Sequence, residues 1–419
     1  MGSDYEMANR ILNKAPITRK KALHRDQPLW LETPRISILT RKSASRTSFD
    51  VVIVGAGISG ALMAHAFVGQ GMSVLVIDRR QPVRGSSLAS TAMIQHEIDV
   101  PLHVLTKTIG VKKAQRVWQR SAGAVQELVQ LTNDLKLGCS FERKRTLFLA
   151  GEAYGSRALR AESEARKAAA IGVEYLGGRE LYYRHQIDRP AALESDISAS
   201  ANPAQLTAGI LRHAREHGTE VVAGVEIRDV RSIGDKVAVS TAGGDIIDAH
   251  HVVFCTGYEF LEALASKSQK VISTWALASR PHLERPEWIN RYLVWEGADP
   301  YLYFRSTSDG RVIVGGEDEA DEGAYLDEAK RARKTKLLVE KLNDITGISV
   351  GKPDFEWSAA FGTTPNGLPM IGRVPTMDNV FVTMGFGGNG ITFSQIAADL
   401  ISGEILGRRD ADWDLFPIS

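Results

Sequence analysis

The sequence predicts an α/β protein of two lobes, one doubly wound around a parallel sheet and the other carrying an antiparallel sheet. Three observations predict it. The chain has 419 residues, above the size of roughly 250–300 residues at which a single core stops growing. From Phe49 to Asp78, an apolar run, a glycine-rich turn, a helical pattern and a second apolar run follow one another, the order of a βαβ unit. Between Val271 and Gly316, strand-like segments alternate with turns, including Asp309-Gly310, the pattern of antiparallel hairpins.

Taken in order, Phe49–Val54 is rich in β-branched residues and predicts a buried strand. Ile58–Val68 switches to helical apolar spacing, and Ser73–Ile77 returns to strand. Ala114, Val117, Trp118, Val125, Leu128, Val129 and Leu135 trace one face of a long helix, and a second spans about 158–171. Pro203 opens a helix that continues through Leu206, Ile210 and Ala214 and ends at Gly218. Strands are predicted at Glu220–Val225, His251–Cys255, Tyr301–Arg305, Val312–Gly315 and Val380–Thr383, and helices near Ala324–Asn343 and Ile391–Leu406.

Composition narrows the function. Hydrophobic residues make up 43% and charged residues 24% of the chain, which excludes wholesale disorder, collagen and coiled coil. Lysine plus arginine total 51 against 50 acids, so no net field exists to hold a nucleic acid. Residues 1–48 are basic, with ten cationic and four acidic side chains. This segment is read as a solvated arm that packs locally through Trp30 and Leu31. Gly2 invites lipidation, but Glu6 stands where that motif needs Ser or Thr. Two cysteines are too few for a disulfide scaffold. No apolar run approaches the roughly 18 residues of a membrane span, and no signal-peptide pattern is present, so a cytoplasmic protein is expected.

Gly55-Ala56-Gly57-Ile58-Ser59-Gly60 matches G-x-G-x-x-G between the first strand and its helix. Gly55 permits the tight turn, Gly57 leaves room for a pyrophosphate, and Gly60 lets helix and strand pack closely. Asp78, at the end of the second strand, is placed to accept hydrogen bonds from a ribose 2′-OH. Arg79 and Arg80 suggest a 2′-phosphate instead, but Asp78 would repel one. The lobe is therefore expected to be Rossmann-like. A second glycine cluster, Gly385–Gly390, also precedes a helix but lacks a following strand and acid. It is expected to offer a helix N-terminus to another part of the same ligand.

These motifs resemble the D-amino-acid oxidase, glycine oxidase and sarcosine oxidase family of FAD-dependent amine oxidoreductases, from about Phe49 to Phe416. Beside Gly55–Gly60 and Asp78, the resemblance rests on Gly85–Ala92, on Cys255-Thr256-Gly257, and on Gly387–Ile391 following Gly367–Gly372. It implies noncovalent FAD, since no cysteine follows Cys255. The pyrophosphate would lie at Gly57, Ile58, Ser59 and Gly60, with Arg79 beside the ribose acid Asp78. Ser86, Ser87, Ala89, Ser90, Thr91, Ala92 and Met93 would run beside the flavin ring. Val225 would reach the adenine, Thr256 and Gly257 the pyrophosphate side. Gly387, Gly388, Asn389, Gly390, Ile391 and Thr392 would face the flavin pyrimidine edge.

The resemblance also implies a reaction, hydride removal from a carbon bearing an amine, with O2 or another carrier as final acceptor. Sarcosine-type members hold a substrate carboxylate with basic residues where this chain has Gln95 and Thr392, so sarcosine is disfavoured. Arg305 would bind a carboxylate instead, or be a surface arginine at a strand end. Gln95, Glu97 and Asp99 form an alternating polar set that would face a cationic amine, closest to the gamma-glutamylputrescine oxidase branch, or would only solvate the next helix. Tyr303, with Tyr301, would line the substrate cavity or belong to the core. Lys267 and Lys270 are candidates for a lysine that favours reaction with O2. His213 and His217, at i and i+4, are read as exposed rather than metal-binding, and Cys139 as a packed thiol.

The FAD-binding lobe is expected from 49–99, 196–262 and 356–419, and the substrate lobe from 100–195 and 263–355. Two other readings stay open: a flavin-binding subunit that works with a protein partner, and an NAD(P)-linked flavoprotein reductase.

Overall fold

The computed structural model describes residues 17–264 and 269–418. Lys267 lies outside them. Two sheets organise the chain. The smaller runs β17 (Met370–Arg373), β18 (Val380–Met384), β11 (Ile246–Gly257), β2 (Ser48–Val54), β3 (Val74–Asp78) and β8 (Glu220–Ala223), with β10 (Lys236–Thr241) pairing β11 and β9 (Ile227–Ile233). From β18 to β8 every pairing is parallel.

Strand alternation explains why both faces are buried. In β2, Val51 and Ile53 enter one apolar core while Val52 and Val54 pack in another; in β3, Val74 and Val76 separate likewise from Leu75 and Ile77. The first core is covered by α1 (Ile58–Ala66), which packs on both α7 (Pro203–Glu216) and α9 (Gly390–Ile405).

The larger sheet runs β1 (His24–Arg25), β16 (Phe355–Thr363), β12 (Lys270–Ala278), β15 (Val312–Glu319), β14 (Leu302–Ser306), β13 (Tyr292–Glu296), β5 (Glu142–Leu149), β7 (Ala191–Ser200) and β4 (Met93–Gln95), with β6 (Glu174–Gly177) on β7. Its central pairings from β16 to β13 are antiparallel. Around it lie α2 (Ser86–Ala89), α3 (Leu102–Ile109), α4 (Val111–Asp134), α5 (Ser156–Ala168), α6 (Gly178–His185) and α8 (Glu328–Thr346). Gly110, at φ +85°, separates α3 from α4. The helix expected from Ala324 is split: a 3-10 turn comes first, and α8 then starts where the Asp327 carboxylate accepts from the Lys330 N–H.

The N-terminal segment departs from the solvated arm expected. Leu23, Leu29, Trp30 and Ile36 are buried, β1 pairs β16, and Arg41 bridges Val222 of the smaller sheet. Apolar residues spaced among the charges are what the count of charges concealed. The interval divisions at 99/100 and 355/356 also differ from the sheet boundary, because β4 and β16 pair in the larger sheet.

Candidate active site

One cavity of about 480 Å3 runs between the two sheets, within the usual range for small-molecule sites. At one end is the glycine turn between β2 and α1. Gly55 has φ +116°, and a Cβ there would strike the Cys255 carbonyl; a Cβ on Gly60 would strike the Gly55 carbonyl. A Cβ on Gly57 would lie 3.0 Å from the Ser87 hydroxyl, which accepts from the Ile58 N–H at 2.9 Å. The start of α1 is thus held open to the cavity, a cradle for an anion at a helix N-terminus.

Asp78 is tied into this turn. Its carboxylate accepts from the Ala56 N–H at 2.7 Å and the Arg80 N–H at 2.8 Å. Burial pushes its pKa up, and these bonds pull it back. Arg79 and Arg80 both turn to Glu259, which also accepts from the Lys21 N–H. Their charge is therefore matched already, which removes the case for a 2′-phosphate. Val225, Thr256 and Gly257 line the same end.

A side wall comes from 85–93. Three long side chains grip its carbonyls from behind: Trp357 donates to Ala89 at 2.9 Å, Trp30 to Ser90 at 2.7 Å, and Arg305 to Thr91 at 2.6 Å. Ser86, Ser87, Ala89, Ser90, Thr91 and Met93 reach the cavity, and Ala92 is buried behind them. Among the described residues the buried Ser86 hydroxyl has no protein partner, nor does the Gln95 side-chain carbonyl farther along. An unused polar atom beside a glycine cradle fits a dinucleotide cofactor in this cavity.

The far end is acidic and aromatic. Tyr301 and Tyr303 have ring centres 5.8 Å apart, and Trp295, Phe361 and Phe386 line the space with them. Tyr258 donates to the Gly387 carbonyl at 2.8 Å. Asp99 opens on the cavity and accepts from the Gly388 N–H at 2.9 Å, so it takes part of the positive end of α9. Its interior position raises its pKa and the Gly388 bond lowers it. Gly387, Asn389, Gly390 and Ile391 line the cavity; Thr392 is buried and donates to the Gln95 backbone carbonyl.

Three expected site residues lie elsewhere. Glu97 is fully buried, accepting from Thr146 and from Arg166, whose Nε also donates to Glu162 at 2.7 Å. Glu97 lies just past the end of β4, where the chain no longer alternates as a strand, so it does not share the cavity side of Gln95 and Asp99. Arg305 is buried too, and it donates to the Thr91, Ser306 and Ala201 carbonyls. Burial lowers its pKa to about 10, and with its donors facing backbone it has no fork left for a carboxylate. Lys270 is exposed at the start of β12, outside the cavity lining. Gly60 acts behind the lining, as a packing contact.

Sequence reasoning missed Asp318, Glu259, Tyr258 and Trp295. The signal for Asp318 was weak, one acid between Glu317 and Glu319 in β15. His213 stacks between His65 and His217, and among the described residues no group of three or more His, Cys, Asp or Glu could hold a metal. Cys139 and Cys255 are both buried, and burial pushes the Cys139 thiol up to about 11. No described helix is long and apolar enough to cross a membrane.

Comparison with known proteins gives the same placement. The family model described as DAO, FAD dependent oxidoreductase, matches residues 50–403. The chain is 24% identical over 373 residues to gamma-glutamylputrescine oxidoreductase of Escherichia coli (strain K12), covering 87% of this chain and 84% of that one. It is 21% identical over 382 residues to glycine oxidase of Bacillus licheniformis, covering 87% and 94%. The crystal structure of glycine oxidase from Geobacillus kaustophilus superposes with a TM-score of 0.74 at 19% identity, covering 89% of this chain and 99% of that chain. With the glycine cradle, its acid and the walled cavity in place, this chain belongs to the DAO family of FAD-dependent oxidoreductases, enzymes acting on amino acids or amines.

Proposed function

We propose that this enzyme oxidises the C–N bond of an amine or amino acid by hydride transfer to noncovalently held FAD. The observation that carries this reading is the continuity of the cavity, from the glycine cradle to the acidic and aromatic end. When bound, FAD supplies the hydride acceptor. The chain's residues supply position and proton control. Gly57 and the start of α1 would hold the pyrophosphate, Asp78 the ribose, and the wall at 86–93 the ring.

An amine arrives as ammonium and must lose a proton before its carbon can release a hydride. Asp99, open to the cavity and raised by its interior position, is assigned as the acceptor of that proton. The aromatic rings exclude water while the C–H bond breaks. The imine product is then hydrolysed.

Support for a noncovalent link comes from Cys255, whose thiol is buried and shifted up, away from the reactive thiolate. The test is anaerobic mixing of the purified yellow protein with amines, N-methyl amino acids, D-amino acids and polyamines. Loss of flavin absorbance with at least one class is expected, and denaturation should release the chromophore. A folded, flavin-loaded protein that no amine or amino acid bleaches would overturn the reading.

A further inference from the structure

The cavity's charges are divided unevenly. The basic residues on its wall are Arg79 and Arg80, both at the ribose end and both paired with Glu259. The far end offers Asp99, Asp318 and Glu296 and, among the described residues, no lining lysine or arginine. Glu296 is matched by Arg189 at 3.6 Å. Asp318 is not matched in this way: among the described residues, neither of its buried carboxylate oxygens has a hydrogen bond of ordinary geometry.

A defect in the sheet puts it there. Along the β12–β15 pair, Trp275 faces Gly316 and Ser273 faces Glu319, so Glu317 and Asp318 together oppose Thr274 alone. This is a β-bulge, with Glu317 at φ +58°. Glu317 and Glu319 project to the Lys334 amine of α8, at 3.3 and 3.0 Å. Asp318 points the other way, onto the cavity wall with Thr274, Tyr301 and Tyr303. The Tyr303 ring lies against Gly315, where a Cβ would overlap it. A carboxylate among aromatic rings is the chemistry that holds an organic ammonium ion, by charge and by cation–π attraction.

Resting on the proposed amine oxidation, we infer that the substrate is a diamine or polyamine-type cation with no carboxylate, whose non-reacting ammonium is held by Asp318 and the surrounding rings. One amine end then loses its hydride while the other stays charged. Burial pushes Asp318 up to about 7; Asp99 also raises it, while Thr274, Tyr301 and Lys334 lower it. Its anionic form therefore grows as pH rises from 6 to 8, and cation binding strengthens in the same direction.

The probe is a linear alkane carrying a trimethylammonium group at each end, which keeps its charge at every pH and lacks the lone pair needed for oxidation. Binding to the flavin-loaded enzyme is read from the shift in flavin absorbance. Saturable binding that strengthens from pH 6 to 8 is expected. In Asp318→Asn, matched to the parent in flavin content, binding should weaken about tenfold or more. In the unaltered enzyme, a linear diamine should bleach the flavin at lower concentration than the monoamine or amino acid of equal length. If amino acids bleach the flavin as well as diamines do and the probe fails to bind, the inference is overturned while amine oxidation stands. If no amine or amino acid bleaches it, the underlying reading fails first.

Discussion

The two ends of the cavity are built by opposite means. At the ribose end, the binding surface is mostly backbone: Gly55 and Gly57 with Gly60 packed behind them, the first turn of α1 and one acid fixed by two main-chain N–H groups. At the amine end, the surface is side chains from β12, β13, β14 and β15 and from the segment after β4, held by groups buried behind them. A backbone site depends on what is absent, so adding one carbon harms it. A side-chain site depends on its supports, so removing them harms it.

The largest expected effect is at the amine end. Arg166 is fully buried between Glu97 and Glu162 and lies 4.7 Å over the Trp118 ring. Arg166→Ala leaves two buried acids without their cation and should cost about 3–5 kcal/mol of stability, read by thermal or urea unfolding. A smaller loss would mean that the segment bearing Gln95 and Asp99 does not depend on that support. At the ribose end, Gly60→Ala forces a carbon onto the Gly55 carbonyl and should cost about 1–3 kcal/mol. Its flavin-to-protein ratio should fall as well. An unchanged ratio would deny the turn its part in cofactor binding.

Arg305 joins the two ends, because it holds the wall from inside the larger sheet. Arg305→Lys cannot reach three carbonyls at once and should lose about 1–3 kcal/mol. Substrate KM should stay within about twofold once flavin is saturating, whereas a carboxylate-binding arginine would raise it far more.

The buried acids also give the amine-end support a pH signature. Burial pushes Glu162 up, but Arg166 and bonds from His103 outweigh it and hold the pKa at about 2. A depressed carboxyl stabilises the fold above its unfolded value of about 4.3 and loses that contribution as pH falls toward 2. Unfolding free energy should therefore drop between about pH 5 and 2, and Glu162→Gln should flatten the slope. The smallest effect is at Lys270, exposed and off the cavity. Lys270→Met should leave flavin reoxidation by O2 unchanged within about twofold.

The same contrast explains what was readable in the sequence. Gly55 to Asp78 is contiguous, so spacing alone carried the cradle, and the parallel lobe followed from it. Asp318 depends on the register of β15 against β12, set by one bulge, and no local pattern marks it. Glu97 and Arg305 were misplaced for a related reason. The fold buries Arg305 to hold backbone carbonyls and Glu97 to pair with Arg166, whereas composition suggests a ligand for any charge near a site. Asp99 was legible as a polar neighbour of the flavin loop, but its contact with Gly388 joins positions 289 residues apart.

The segment from Ile17 to Arg41 is a seam across the molecule. Ile17, Thr18 and Leu23 form part of the cavity wall, the Arg19 N–H reaches the Phe260 carbonyl, and β1 completes the free edge of β16. A shortened protein beginning at residue 50, where the family likeness starts, would lack this stitching. It would leave the cofactor's ribose side open to water and bare an unpaired strand edge, the kind of surface on which chains aggregate. Anyone trimming this enzyme for crystals or catalysis should keep the stretch from Ile17 to Arg41.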